Sequence, residues 1–428
     1  MERYKEYKDS GISWIGEIPS HWETCRMKKV FSLANEKTVN EEGTLLSLSQ
    51  YTGITRKEDA AKTGMFEAES TIGYNIVHKG QFVMNIMLAW NGSYAVSDYE
   101  GIISPAYCVY NFNENVECNK KYMHYLLRLQ SYAGAFKTLS KGIIDSRLRL
   151  YPMYFLSFYT ILPSIAEQEK IVSYLEDKTS SIDAYVAEKE KELQLLNELK
   201  DAEIAQVVTQ GLNPNVKKKN YSSLLTNSSP EHWSIMRNKS FLSLTGETVG
   251  DRANDFTLLS LSTKGVIVRD VESGKGKFPK DFDTYQAVKK DELVFCLFDI
   301  DETPRTVGLV ETEGMVTGAY TALKVNKTIA IPEYVYYYYL CVDNIKALKP
   351  YYSGLRKTVR ADKFLQIYIP LPPVEEQRAI VTYVEDKCAK VNTLIAELEA
   401  EIDYMKEYKQ RLIADCVTGQ VNVLNVKN

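Results

Sequence analysis

At 428 residues the chain exceeds the size at which one hydrophobic core keeps growing, so two or more domains are expected, and 45% apolar residues give each a core to bury. No run of about 18 apolar residues occurs, and the opening "MERYKEYKDS" is charged, which argues against a membrane span or secretory signal and for a soluble, cytoplasmic protein with no membrane partner. A net charge of −4 speaks, taken alone, against nucleic acid, and seven cysteines without a C-x-x-C pair speak against a disulfide framework or a zinc site.

Residues 1–160 mix β-type runs, "GQFVMNIML" from Gly80 and "AYCVYNF" from Ala106, with the helical pattern "KYMHYLLRLQSYAGAF" from Lys121. They read as a small mixed α/β domain. A long helix follows in 161–212, started by a Ser164/Glu167 capping box and stopped by Gly211 and Pro214. Residues 213–229, "NPNVKKKNYSSLLTNSS", read as a solvated linker in which Lys217–Lys219 offer a charge run that could touch phosphate. A second mixed domain, 230–369, carries "ELVFCLF" from Glu292, "GAYTALKV" from Gly318 and the helix "PEYVYYYYLCVDNIKAL" from Pro332. Its tyrosines fit a helix face packed on a sheet better than a base-stacking surface. A second long helix, 370–420, and a tail, 421–428, complete the chain.

This order is a duplication. "LPSIAEQEKIVSYLEDK" from Leu162 returns 209 residues later as "LPPVEEQRAIVTYVEDK", identical at ten of seventeen positions. "SHWETCRMKKVFSL" from Ser20 answers "EHWSIMRNKSFLSL" from Glu231, "TLLSLS" occurs at Thr44 and Thr257, and "GIISPAY" at Gly101 answers "GMVTGAY" at Gly314. The fold class expected is therefore α+β, two tandem units that each place a mixed domain before a long helix. In the second helix Val381, Val384, Cys388, Val391, Ile395, Leu398, Ile402, Met405, Lys409, Leu412 and Cys416 recur in steps of three and four, a coiled-coil seam. The first helix repeats it less cleanly from Val172 to Val207, and the simplest partner for each seam is the other helix. Segments 165–208 and 373–416 carry net charges of −6 and −4, leaving the remainder of the chain at +6. The helices are acidic and the globular parts basic, the reverse of a basic zipper.

Signatures of catalysis are missing: no Walker A loop, G-x-G-x-x-G, H-E-x-x-H or G-x-S-x-G occurs, and His21 and His232 stand beside Trp22 and Trp233, where packing explains them. What remains is contact chemistry. Basic residues gather before each long helix: Lys141, Arg147 and Arg149 in the first unit, and Arg356, Lys357, Arg360 and Lys363 in the second. Arginine can grip phosphate or read guanine bidentately, although a solvated surface is an equal reading. Where the copies diverge, the first offers Gln50, Tyr51, Arg56, Trp90, Asn91 and Ser93, and the second Thr263, Lys264, Arg269, Asp299, Asp301 and Arg305. Amide, hydroxyl and guanidinium groups of this kind are what base edges require.

"WIGEIPSHWE" from Trp14, the L-P-x-x-x-E-Q helix start written twice and the duplicated layout resemble the specificity subunits of type I restriction–modification systems over essentially the full chain. The resemblance implies two target-recognition domains, each reading half of an asymmetric bipartite double-stranded DNA sequence. It also implies a pseudo-two-fold body whose long helices pack as an antiparallel coiled coil, set the spacing and dock two methyltransferase subunits. S-adenosylmethionine would belong to those partners, and ATP and Mg²⁺ to two restriction subunits where the system has them. No catalytic residue, cofactor or metal ligand is carried over to this non-enzymatic chain. Two rivals are a fused methyltransferase or nuclease, which lacks its nucleotide loop and N/D-P-P-Y/F motif here, and a duplicated adaptor binding peptides or glycans.

Overall fold

The continuous apolar runs become sheet strands covered on both faces. In the first unit Phe31–Ala34, Tyr107–Phe112, Phe82–Asn85 and Tyr94–Val96 bond in that order into a four-stranded antiparallel sheet. All four residues of Phe82–Asn85 are buried, which is why no polar alternation marks this strand in the sequence. Phe31, Phe82, Tyr110 and Phe155 fill one face with ring centroids 4.8 to 6.3 Å apart, and Leu46, Leu48, Val83, Ala95 and Val109 fill the other. The second unit repeats the order with Leu242–Leu244, Thr321–Val325, Leu293–Phe295 and Val307–Leu309. Of the tyrosine run, Tyr334, Tyr338 and Tyr339 are fully buried in the core, as expected of a helix face packed on a sheet.

The structure, a computed structural model, describes residues 2–50, 52–59, 70–142, 148–269, 282 and 284–424. The long helices span Ile165–Gln210 and Val374–Val417. The chain divides midway along both: one unit holds Met1–Lys189 with Glu401–Asn428, the other Glu190–Ala400. Segments 161–212 and 370–420 are thus not separate bodies, because each helix starts in one unit and finishes in the other. Inside each unit the helix segments run antiparallel. In the first, Asp183 pairs with Lys409 at 2.7 Å and Tyr185 donates to Glu401; in the second, Lys200 donates to Asn392 at 3.1 Å and Glu203 receives Tyr383 at 2.6 Å and Lys387 at 3.0 Å. Ile182, Val186, Ile402, Leu412 and Cys416 bury the seam of the first, and Ile204, Val207, Val381, Val384 and Leu398 that of the second. The polar seam positions Lys200 and Glu203 are therefore partnered, and the contacts from Tyr383 and then Lys387 hold the Glu203 carboxyl below its usual range.

The repeated L-P-x-x-x-E-Q is the latch that joins helix to domain. Ser164 and Glu167 form the expected capping box, with Oγ to Oε2 at 3.1 Å and the Glu167 N–H to Oγ at 3.4 Å. Glu167 also accepts from Trp22 Nε1 at 3.2 Å and sits 2.9 Å from His21, as Glu376 accepts from Trp233 at 3.1 Å and sits 2.7 Å from His232. The paired histidines therefore support a helix start. The next residue, glutamine, is fully buried: Gln168 accepts from the Asn119 N–H at 2.7 Å and donates to Pro163 O at 2.8 Å and Glu117 O at 3.3 Å. Gln377 does the same with Ile331, Pro372 and Ile329 at 2.8, 2.8 and 3.1 Å. Each tryptophan also touches the far end of the opposite helix. A Cβ on Gly419 would lie 3.0 Å from Trp22 and one on Gly211 3.4 Å from Trp233; both glycines have φ +75°, the left-handed stop that glycine provides. Buried Tyr122 and Tyr334 close those ends by donating to Val417 O and Val208 O at 2.9 and 2.8 Å.

The stretch expected as a solvated linker at 213–229 is folded. Lys218–Asn220 pairs antiparallel with Ser228–Pro230, as Tyr7–Asp9 pairs with Glu17–Pro19 in the first unit. Lys217 meets Glu231 at 3.5 Å, and the Lys219 ammonium donates to Glu231 O at 2.9 Å and to Trp233 O. Backbone carbonyls, with no sequence signature of their own, occupy Lys219, one of the three lysines of the run offered to phosphate.

Replacing Gln377 by Ala strands a buried N–H and two carbonyls, and should destabilise the second unit by about 3 kcal/mol. Hydrogen exchange of its core amides should quicken, while the first unit, whose Gln168 is intact, keeps its protection.

Candidate nucleic-acid interface

In the first unit three sequence-distant segments meet. The hairpin of Leu46–Ser49 and Gly53–Arg56 has Gln50 at its turn, and the Gln50 carbonyl accepts from Arg128 Nη2. The other guanidinium nitrogen donates to Tyr94 O at 3.2 Å, tying that turn to the strand after the divergent loop. Within this loop a short helix, Ala89–Asn91, presents Trp90 and Asn91. Trp90 donates to Met87 O at 3.0 Å and lies 5.3 Å from the Lys137 ammonium. Gln50, Asn91, Arg128, Gln130 and Gln410 line one cleft of about 480 Å³. Amides in that number can take the paired donor and acceptor of an adenine edge.

The remaining candidates of this unit divide. Ser93 is buried, and its hydroxyl donates to Asn91 Oδ1 at 2.8 Å; it shapes the loop and faces no solvent, which corrects its place among the reading residues. Arg56 is exposed, 5.8 Å from the Tyr99 ring and 4.0 Å from Glu58. Lys141 and Arg149 are exposed and joined by a backbone bridge, N to O at 2.9 and 3.0 Å. Leu150 N bonds Ile86 O at 2.8 Å, so the basic segment before the helix is stitched to the divergent loop. Tyr51 and Arg147 lie outside the described residues.

The second unit brings the corresponding segments together with different chemistry. Thr263 and Lys264 are exposed at the turn of the hairpin formed by Leu259–Ser262 and Gly265–Val268, and Arg269 follows it. The hairpin packs tightly on the sheet, since a Cβ on Gly308 would lie 2.6 Å from Val266. The divergent loop and the loop before the long helix are bonded to each other: Asp299 N to Arg356 O at 2.9 Å and Val359 N to Leu297 O at 2.8 Å. Arg356 pairs with Asp299 at 2.7 Å and lies 5.4 Å from the Phe298 ring, and Lys357 pairs with Asp301 at 3.1 Å. The Lys357 contact, assisted by Tyr352, holds the Asp301 carboxyl below its usual range. Arg360 meets Asp362 at 3.1 Å, and Lys363 is exposed. Two cations of the basic cluster seen in the sequence, Arg356 and Lys357, are thus charge-compensated by acids of the neighbouring loop, and Arg360 by its own neighbour Asp362.

Arg305 belongs to a support. Its guanidinium lies 3.3 Å from buried Asp343 and 2.9 Å from Asn344 Oδ1, and Asp343 also receives Thr306 N at 2.9 Å, Thr306 Oγ1 at 2.7 Å and Lys346 Nζ at 2.7 Å. Arg305 is therefore a loop brace, a correction to its place among the base-reading candidates. Asp343 and Arg128 escaped the sequence reading. The one acid inside the apolar "YLCVDN" run was a usable signal, because a buried carboxylate needs partners; Arg128 had none.

Removing the Asp343 carboxylate with D343A leaves a buried N–H without its acceptor and two cations without their counter-charge. The expected cost is about 3 kcal/mol, with faster hydrogen exchange at 299–306 and wild-type exchange in the first unit.

Among the described residues no group of three or more His, Cys, Asp and Glu side chains could hold a metal ion, and no helix is long and apolar enough to cross a membrane. Residues 310–404 match the family described as the type I restriction modification DNA specificity domain. A protein of Methanocaldococcus jannaschii that bears the name of type I restriction enzyme MjaX specificity subunit is 22% identical, over 99% of both chains. A solved chain from a type I R-M system shares the fold with a TM-score of 0.68 at 15% identity, covering 94% of this chain and 99% of its own. The HsdS subunit of Thermoanaerobacter tengcongensis is 13% identical over 94% of this chain and 98% of its own, with a TM-score of 0.48. The chain thus carries a type I DNA specificity domain over residues 310–404 and is similar along its whole length to a specificity subunit.

Proposed function

We propose that each unit reads one half of an asymmetric, bipartite double-stranded DNA target, and that the long helices set the spacing and dock two methyltransferase subunits. One observation carries this reading: two units with the same sheet order and the same helix latch present different loop chemistry at corresponding places. The first offers an amide-lined cleft, and the second a braced platform of paired charges. Copies of one scaffold with unlike faces suit unlike half-sites. Continuous helices shared by both units suit a spacer, and their acidic surface suits protein docking while repelling phosphate.

In this reading the chain is a non-catalytic recognition subunit acting in the cytoplasm. S-adenosylmethionine resides in the methyltransferase subunits, and ATP and Mg²⁺ in restriction subunits where these join. The residues that face DNA are Gln50, Arg56, Trp90, Asn91, Lys141 and Arg149 in the first unit, and Thr263, Lys264, Arg269, Arg356, Lys357 and Arg360 in the second. Paired cations can still serve, since a phosphate can replace or share a surface carboxylate whose net grip is weak.

Methylome sequencing of a host expressing the full chain with methyltransferase subunits should reveal one two-part asymmetric motif; methylation without a motif overturns the proposal. Exchanging residues 1–160 for another member's should change one half of that motif. Inserting one helical turn, about four residues, in the first long helix should lengthen the gap and leave both halves unchanged. Affinity should fall steeply with salt, by a log–log slope of about −0.9 per phosphate contacted, whereas a peptide- or glycan-binding adaptor would show no such slope.

A further inference from the structure

The loop Ser353–Thr358 ends in a fully exposed side chain, that of Leu355, although the backbone on either side of it is hydrogen-bonded. Ser353 and Thr358 exchange both backbone bonds at 2.9 and 3.1 Å, and Lys357 N bonds Gly354 O at 3.2 Å. Gly354 and Lys357 take φ values of +69° and +44°. Arg356 and Lys357 are tied down to Asp299 and Asp301. A flexible surface leucine would need no explanation, but this one is aimed by a braced loop inside the candidate interface. Neutralising both neighbouring cations leaves an aliphatic tip as the foremost chemistry of the loop.

We infer that Leu355 is a specificity-determining contact to the C5-methyl group of a thymine in the major groove of the half-site read by the second unit; the inference rests on the DNA-reading function proposed above. The major groove is where duplex DNA displays an apolar group on a base edge, and it also displays the amino donors of adenine and cytosine. Asp299, beside the tip, gives Oδ2 to Arg356 and can turn Oδ1 to such a donor. Apolar wedges in the minor groove work beside cations free to enter it, whereas Arg356 and Lys357 are held by Asp299 and Asp301. The loop therefore suits a methyl contact better than a wedge.

The test uses the full chain in complex with methyltransferase subunits and random-sequence duplex pools, one synthesised with thymidine and one with deoxyuridine in its place. Wild type should select a motif in which one second-unit A·T position is favoured only in the thymidine pool, and a single thymine-to-uracil change there should weaken binding about fourfold, the worth of one buried methyl. L355A should melt as wild type does, bind thymidine and deoxyuridine targets equally, and keep the rest of the motif. Wild type that ignores the uracil change at every position, or L355A that still discriminates, overturns the inference. So does L355A that loses affinity and DNA bending equally on both duplexes, the behaviour of a wedge. Absence of any motif from either pool would instead sink the DNA-reading function on which the inference stands.

Discussion

The buried glutamine at the start of each long helix is the contact on which the rest depends. Gln168 and Gln377 satisfy backbone groups in the helix entry and in a loop of the recognition domain at the same time, so the helix leaves its domain in one direction. The preceding glutamate holds a tryptophan ring, and that ring receives the glycine that stops the opposite helix. Four backbone or side-chain constraints per unit thereby converge within one turn of helix. Loosening any of the hydrogen bonds among them would leave a buried polar group unpaired in a medium that does not forgive it.

Much of this was legible in the sequence because duplication doubles the signal. The helix starts, the seam and the sheet runs were each written twice, and wherever the two passages agreed the structure has scaffold. Glu167 and Gln168 gave no hint that one binds a tryptophan and the other a loop carbonyl, because hydrogen bonds between distant segments leave no periodicity. For the same reason the hairpin at Lys218–Asn220 passed as linker: its strands are too short and too polar to alternate, and they are held by the backbone acceptors around Lys219.

The interface was legible in composition and less so in geometry. Counting cations before each helix drew attention to two loops, yet the structure pairs Arg356 and Lys357 with acids from a segment more than fifty residues away and makes Arg305 part of a support. Charge counts treat each side chain as free, whereas a folded loop reports only the charge left after its neighbours have been answered. What survives that cancellation is a set of amides in one unit and an aliphatic tip in the other, groups that composition cannot weigh because they carry no charge.

The chain order of the helix ends has a consequence for synthesis. Tyr122 and Tyr7 wait for Val417 O and Gly419 O, acceptors 295 and 412 residues later in the chain. At typical elongation speeds the second repeat occupies the ribosome for roughly 10–40 s. Throughout that interval the first repeat carries an open apolar slot shaped for a helix not yet made, while its own helix already holds the copy of that sequence. The nascent molecule therefore passes through a stage in which two neighbouring chains could complete each other, and translation speed competes with that encounter.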